Sequence, residues 1–246
     1  MKGLTIERPF LRLPAVTGSP RRAKNRRFFG LATRRERWGL SWKGWFVFAL
    51  LVIGIAGLFT YAAYPFLAVT DRVNADTLVV EGWVHEYAIR TAAKEFHSGD
   101  YKRVFTTGGP VAGVGGYTND YNTSANQGAA LLEAEGLSAD VIQAVPSQVS
   151  DRDRTYSAAR ALRDWFAEHH SSVHAINVLT EDAHARRTRL LFHSALGEHT
   201  TVGIIAVANP DYDAKHWWRY SEGVRDVISE SIAYVYAKFF FWRRQR

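Results

Sequence analysis

The sequence predicts an α/β protein: a Rossmann-like, mainly parallel sheet of about five strands with helices on both faces, preceded by one N-terminal transmembrane helix. Three observations lead there. The 27 residues between Lys43 and Asp71 carry no charge. Beyond them, short apolar runs alternate with stretches of helical composition. The charge is also split along the chain: residues 1–44 hold a net +10, residues 70–242 a net −6, and the last four residues add three arginines.

The uncharged run sets the domain boundaries. Its middle, Trp45 to Phe59, is almost wholly apolar, and a helix of about 20 apolar residues crosses a bilayer core of roughly 30 Å. Trp38, Trp42 and Trp45 flank one end and Tyr61 and Tyr64 the other, the level at which aromatic rings meet headgroups. Pro65 is expected to end or kink the helix. A buried core helix would be shorter and carry one polar face. A cleavable signal would have an apolar stretch of about 7–15 residues behind a brief basic head. We therefore expect an uncleaved single-pass anchor over 45–69. Residues 1–44 before it form a basic tail, in which Pro9, Pro14, Gly18 and Pro20 argue against regular structure. Basic residues stay on the cytoplasmic side, so the domain after residue 70 should face outward, into a periplasm or its equivalent. The bilayer is thus the first expected partner.

Composition removes several function classes. The acidic balance of residues 70–242 argues against nucleic acid as a partner. The chain has no cysteine, which excludes disulfides, thiolate zinc sites and cysteine catalysis. One span cannot form a pore by itself, so a transporter is not expected. No histidine pair has metal-ligand spacing, and no metal is predicted.

The elements follow in order. Thr77–Val80 reads as a short buried strand, and residues 85–97 as a helix stopped by Ser98-Gly99-Asp100. Val104–Thr107 is a second strand running into Gly108-Gly109-Pro110, with a glycine-rich loop over 108–116. Ala125–Glu135 is a helix closed by Gly136. Val141–Val145 is a third strand. Thr155–His169 is a helix that Thr155 is expected to cap. Ala175–Thr180 is a fourth strand, Ala183–Leu196 a helix closed by Gly197, and Val202–Val207 a fifth strand. This alternation gives βαβ units and an α/β ligand-binding domain over 70–212. The segment 213–246 reads differently. Val224, Ile228, Ile232, Val235, Tyr236 and Phe239 recur at helical spacing within one stretch from Trp217 to Trp242. Its aromatic and basic end is expected to rest near the membrane.

In open α/β sheets ligands bind beyond the carboxyl ends of the strands. Glu81, Gly108 and Gly109, Thr180, Asp182, His184 and Arg187 all leave strands at that edge. Loop amides and helix N-termini there suit an anion such as phosphate, and an arginine fork completes such a shell. His184 is the candidate general acid or base, because its ordinary pKa lies near working pH. Glu81 or Asp182 is then expected to orient it or to activate water. The run Gly113-Val-Gly115-Gly116 does not match a dinucleotide fingerprint, and no cofactor is identified.

Taken in order, these residues resemble the SanA/ElyC/YdcF-like family of bacterial envelope proteins, over about Asp76 to Val207. The resemblance rests on Val80-Glu81-Gly82, Arg90, Thr106-Thr-Gly-Gly109, Thr155, and the run from Thr180 through His184 to Arg187. It implies a place in the plasma membrane of a bacterium and a role in envelope or surface-polysaccharide biogenesis. It also adds Arg90 and Thr155 to the ligand-binding set. The chain departs from the family pattern at Arg154, Ser157 and Ala158, where Asn, Glu and Asn are usual, and at Glu81 and Trp83, where a glycine-rich turn is usual.

Two functions are therefore expected. The first is a membrane-anchored protein whose outward domain binds a phosphorylated, nucleotide-like or lipid-linked ligand, with Gly108, Gly109, Arg90, Thr155, Thr180 and Arg187 as binding groups and His184, Glu81 and Asp182 as catalytic ones. The second is a non-catalytic scaffold or sensor beside an envelope biosynthesis or export complex, contacting other envelope proteins. Sequence alone leaves open whether a bond is broken.

Overall fold

The computed structural model describes residues 26–27, 32–33, 40–111, 122–148 and 153–241. The basic tail therefore lies almost wholly outside the described residues, as do most of the glycine-rich loop over 108–116, Asp151 and Arg152, and the terminal Trp242–Arg246. The chain divides into two compact units, 1–50 and 51–246. In the first, Arg26–Arg27 pairs antiparallel with Ala32–Thr33.

Helix α1 (Trp42–Leu67) has 26 residues, about 39 Å at 1.5 Å per residue. It is the one described helix long and apolar enough to cross a membrane. Pro65 does not end it. The helix runs to Leu67, and the Ala68 N–H still reaches the Tyr64 carbonyl at 2.8 Å. Pro65 removes one backbone donor, but Ala63 and Leu67 are buried among Tyr212, Trp217 and Val227, so packing holds the last turn.

The remaining elements are β1 (Thr77–Glu81), α2 (Glu86–Ser98), β2 (Arg103–Gly108), α3 (Ser124–Ala134), β3 (Ile142–Pro146), α4 (Arg154–Glu168), β4 (Ala175–Glu181), α5 (Ala185–Leu196), β5 (Thr201–Val207) and α6 (Ser221–Phe239). The five strands form one parallel sheet in the order β3-β2-β1-β4-β5. Successive residues of β1 point to opposite faces. Val79 packs with Phe105, Val178, Ile204 and the buried sides of α4 and α5. Leu78 and Val80 pack with Val104, Leu179, Ile205 and the buried sides of α2 and α3. Both faces are covered, which explains why the strands read as continuous apolar runs. Each large side chain so buried, such as Phe105 or Phe192, contributes about 1.5–3 kcal/mol.

After α1 the chain follows the outer edge of β5. Thr70 Oγ1 accepts the Ala206 N–H at 3.0 Å, Asp71 exchanges backbone hydrogen bonds with Ile204, and the Asn177 amide clamps both the N–H and the carbonyl of Val73. The linker thus descends from the carboxyl end of the sheet toward its amino end before β1 begins.

Three local expectations need correction. Thr155 is not the cap of α4; Asp153 takes that place in the left-handed region, at φ 50°, and Thr155 is buried inside the first turn. The helix after β4 begins with a separate 3₁₀ turn, Asp182–His184. The C-terminal stretch is not one helix. A 3₁₀ segment, Ala214–Arg219, is broken from α6 by extended backbone at Tyr220. The cause is close packing: a Cβ on Gly223 would fall 2.5 Å from the Trp217 carbonyl oxygen, so the first turn of α6 folds directly against the preceding segment.

Candidate functional site

A cleft of about 560 Å³ opens beyond the carboxyl ends of β1, β2 and β4. It sits where the sheet order reverses, between β1 and β4, since the chain builds outward from β1 in both directions. Two glycines let its walls approach. A Cβ on Gly82 would lie 2.0 Å from the Ser124 carbonyl oxygen, and one on Gly128 2.7 Å from Gly82 Cα. The start of α3 is thereby pressed onto the end of β1.

One wall holds a compact ionic cluster. His184 Nδ1 lies 2.9 Å from Glu230 Oε1, and Arg187 donates to the same carboxylate from Nε at 2.8 Å and from Nη2 at 3.1 Å. Arg187 Nη2 lies against the imidazole, 3.0 Å from Nδ1 and 3.2 Å from Nε2. Glu81 is only 1% exposed, receives the Thr188 hydroxyl at 2.9 Å, and lies 3.9 Å from His184 Nε2. The edge of Trp83 stands over the imidazole at 4.8 Å between ring centres. Burial alone would push the Glu230 carboxyl up. The hydrogen bonds and charges of His184 and Arg187 outweigh it and hold the group at about 2.

Asp182 forms the floor. It is a non-glycine residue at φ 44°, an infrequent conformation that Asp tolerates better than most side chains. The hydroxyls of Tyr64 and Tyr212 both donate to its carboxylate. Burial raises its pKa above the usual carboxylate range, against the pull of those two hydrogen bonds. Nearby, Glu181 receives the His85 backbone N–H and its ring Nδ1.

The opposite wall differs in kind. Gly108, in the positive-φ region at 155°, and Gly109 make the turn out of β2. The start of α4, with Arg154 and Thr155, lines the cleft with them. Thr123 caps α3 by accepting the Asn126 N–H, whereas the Asp153 side chain makes no such bond at α4. The Asp153 carboxylate therefore does not cap the first turn of α4. Thr107 lines the cleft, is 0% exposed, and its hydroxyl has no hydrogen-bond partner. Exposed Arg154 has no ion-pair partner among the described residues.

Of the residues singled out from the sequence, Glu81, Gly108, Gly109, Thr155, Asp182, His184 and Arg187 all line this cleft. Two do not. Thr180 is buried one residue below the rim, its hydroxyl also unpartnered. Arg90 is exposed on α2, 3.6 Å from Glu135, in a shallow depression with Lys94 and His97. Arg90 belongs to the solvent side of that helix and not to the cleft. Nor does Asp182 orient His184, because its carboxylate is occupied by tyrosines. Glu230 orients the ring instead. Glu230, Arg225 and Asp226 of α6 were not anticipated. The signal was present: Asp226 and Glu230, four apart, share a face of α6 away from the apolar one. Among the described residues no cluster of three or more metal-ligating side chains occurs.

No family model, curated protein or solved structure matches the chain.

Proposed function

We propose that this chain is a single-pass envelope protein whose outward domain binds a phosphorylated ligand in the cleft. The observation that carries the reading is the unpartnered, fully buried Thr107 hydroxyl beside the Gly108–Gly109 turn, in a cleft that Arg154 at the start of α4 also lines. A buried hydroxyl without a partner is unfavourable by roughly 1–3 kcal/mol. Helix amides, a glycine turn and an arginine are the groups that neutralise phosphate oxygens. The cleft also carries carboxylates: Glu230, Glu181 and Asp182 are engaged by Arg187 and His184, by His85, and by two tyrosines, Glu81 by Thr188 and Asp226 by Arg225, while Asp211 and Asp153, the latter beside Arg154, are exposed. The phosphate is therefore assigned to the β2–α4 side, and His184 with Glu81 to the rest of the ligand.

The basic residues of 1–44 support a cytoplasmic N-terminus and an outward domain. With the resemblance to SanA/ElyC/YdcF-like proteins, this supports a place in the bacterial plasma membrane and in envelope biogenesis. A second reading, a ligand sensor without chemistry beside an envelope complex, is favoured by the way Glu230 and Arg187 hold the His184 ring in the ionic cluster. Titration calorimetry of the full chain in detergent with inorganic phosphate and glycerol 3-phosphate tests the common step. Binding should weaken about tenfold in Thr107→Val and in Arg154→Gln. Unchanged affinity in both variants defeats the reading. Loss of turnover without loss of binding in His184→Gln separates enzyme from sensor.

A further inference from the structure

The path of α1 relative to the cleft says where the ligand comes from. Tyr64 reaches Asp182, the first residue beyond β4. The chain then meets Ala206, Ile204 and Asn177 in turn, descending from the carboxyl edge of the sheet to its amino edge. The helix before Tyr64 thus approaches from the carboxyl side, the side on which the cleft opens. Thr60, one turn earlier, accepts the Trp217 indole N–H at 3.0 Å. From there back, Leu58, Ile55, Ile53 and Leu51 are all exposed apolar side chains. One helical turn is about 5.4 Å, so the apolar part of α1 begins only some 5–10 Å from the cleft floor. The headgroup zone of a bilayer leaflet is of that thickness.

A second feature marks the same level. Trp218 and Tyr220 are exposed, as are Lys215 and Arg219, on the segment that Trp217 fastens to Thr60 and Phe59. Tryptophan, tyrosine and basic residues are the groups that settle among headgroups. The cleft residues Arg225 and Asp226 follow within two turns. From these positions we infer that the cleft faces the bilayer crossed by α1 and takes a phosphate carried on a lipid. It rests on the reading of the cleft as a phosphate site. The lipid phosphate enters between the Gly108–Gly109 turn and the start of α4 while its chains stay in the membrane. On this geometry the bilayer contact belongs to Lys215–Tyr220. The chain touches α1 first through Trp217 at Thr60 and later through Tyr234 of α6 at Phe66, so it advances toward the end of α1 and carries Phe239 and Phe240 away from the membrane.

The test uses the full chain in phosphatidylcholine nanodiscs and amide hydrogen exchange of residues 107–109 and 154–157. Three arms are compared: no addition, phosphatidic acid within the disc, and soluble glycerol 3-phosphate. Phosphatidic acid should slow exchange at both segments at least tenfold, with an effect lost in Thr107→Val and in Arg154→Gln. Glycerol 3-phosphate at matched concentration should give less than a tenth of that protection. Equal protection by the soluble ester overturns the lipid inference and leaves the phosphate site standing. Protection by neither overturns both, and protection that survives in both variants also overturns the lipid inference.

Discussion

Glu230 is the residue on which the ionic wall of the cleft depends. It holds Arg187 through two hydrogen bonds and His184 through a third, and its own charge is secured by them. A carboxyl whose folded pKa is depressed contributes stability that is present above its unfolded value, near 4.5, and lost as pH falls toward about 2. Glu230→Gln should therefore lower stability by about 3 kcal/mol at neutral pH. The gap between wild type and variant should close between pH 4.5 and 2 when chemical unfolding is followed across that range. A gap independent of pH would show that Glu230 acts through shape alone. Thr107→Val makes the contrasting case. It removes a buried hydroxyl that bonds nothing in the fold, so the unliganded protein should gain about 1–3 kcal/mol of stability while phosphate affinity falls. The rim residues of β1, β2 and β4 were legible in the sequence because strand ends point where the strand pattern says. Glu230 was not, because its partners Arg187 and His184 are more than forty positions away and only the crossing of α6 over α5 unites them.

Elements were legible to the extent that their own residues determine them. The five strands fall within about two residues of their expected limits, since each is a buried apolar run bounded by turn residues. The failures share one cause: close contact from outside the element. Gly223 against Trp217 breaks the C-terminal stretch in two, and the core around Leu67 carries α1 past Pro65. Asp182 in the left-handed region makes the sharp exit from β4 that places His184 over the cleft. The tightest such contact is Gly82 against the Ser124 carbonyl, where a Cβ would sit 2.0 Å away. No flexible side-chain end can yield there, because the obstacle is backbone. Gly82→Ala should destabilise the domain by at least about 2 kcal/mol and push α3 off β1. Thermal unfolding and exchange at the α3 amides would read both effects, and a variant as stable as wild type would mean that α3 does not seat as tightly as described.

At the scale of the molecule, the long apolar helix and the sheet were each predictable alone, and the way the chain leaves one for the other was not. Nothing in the composition tells that Tyr64 ends at Asp182 or that the linker runs down β5. Yet this route decides which edge of the sheet the apolar part of α1 approaches, and on the proposed reading what can enter the cleft. Among the described residues, two exposed aromatic pairs are candidates for a bilayer contact: Trp218 with Tyr220, and Phe239 with Phe240. Only the first is joined to α1 at the end of its apolar run. The chain has no cysteine, so single labels are clean. Trp218, 42% exposed, and Phe240, 55% exposed, can each be replaced by Cys and labelled with an environment-sensitive fluorophore in reconstituted bilayers. A nitroxide lipid with its spin near the headgroup should quench the label at 218 strongly and the label at 240 weakly. The reverse order would put the far end of α6 on the membrane, turn the cleft toward water, and favour a soluble phosphate ester as its occupant.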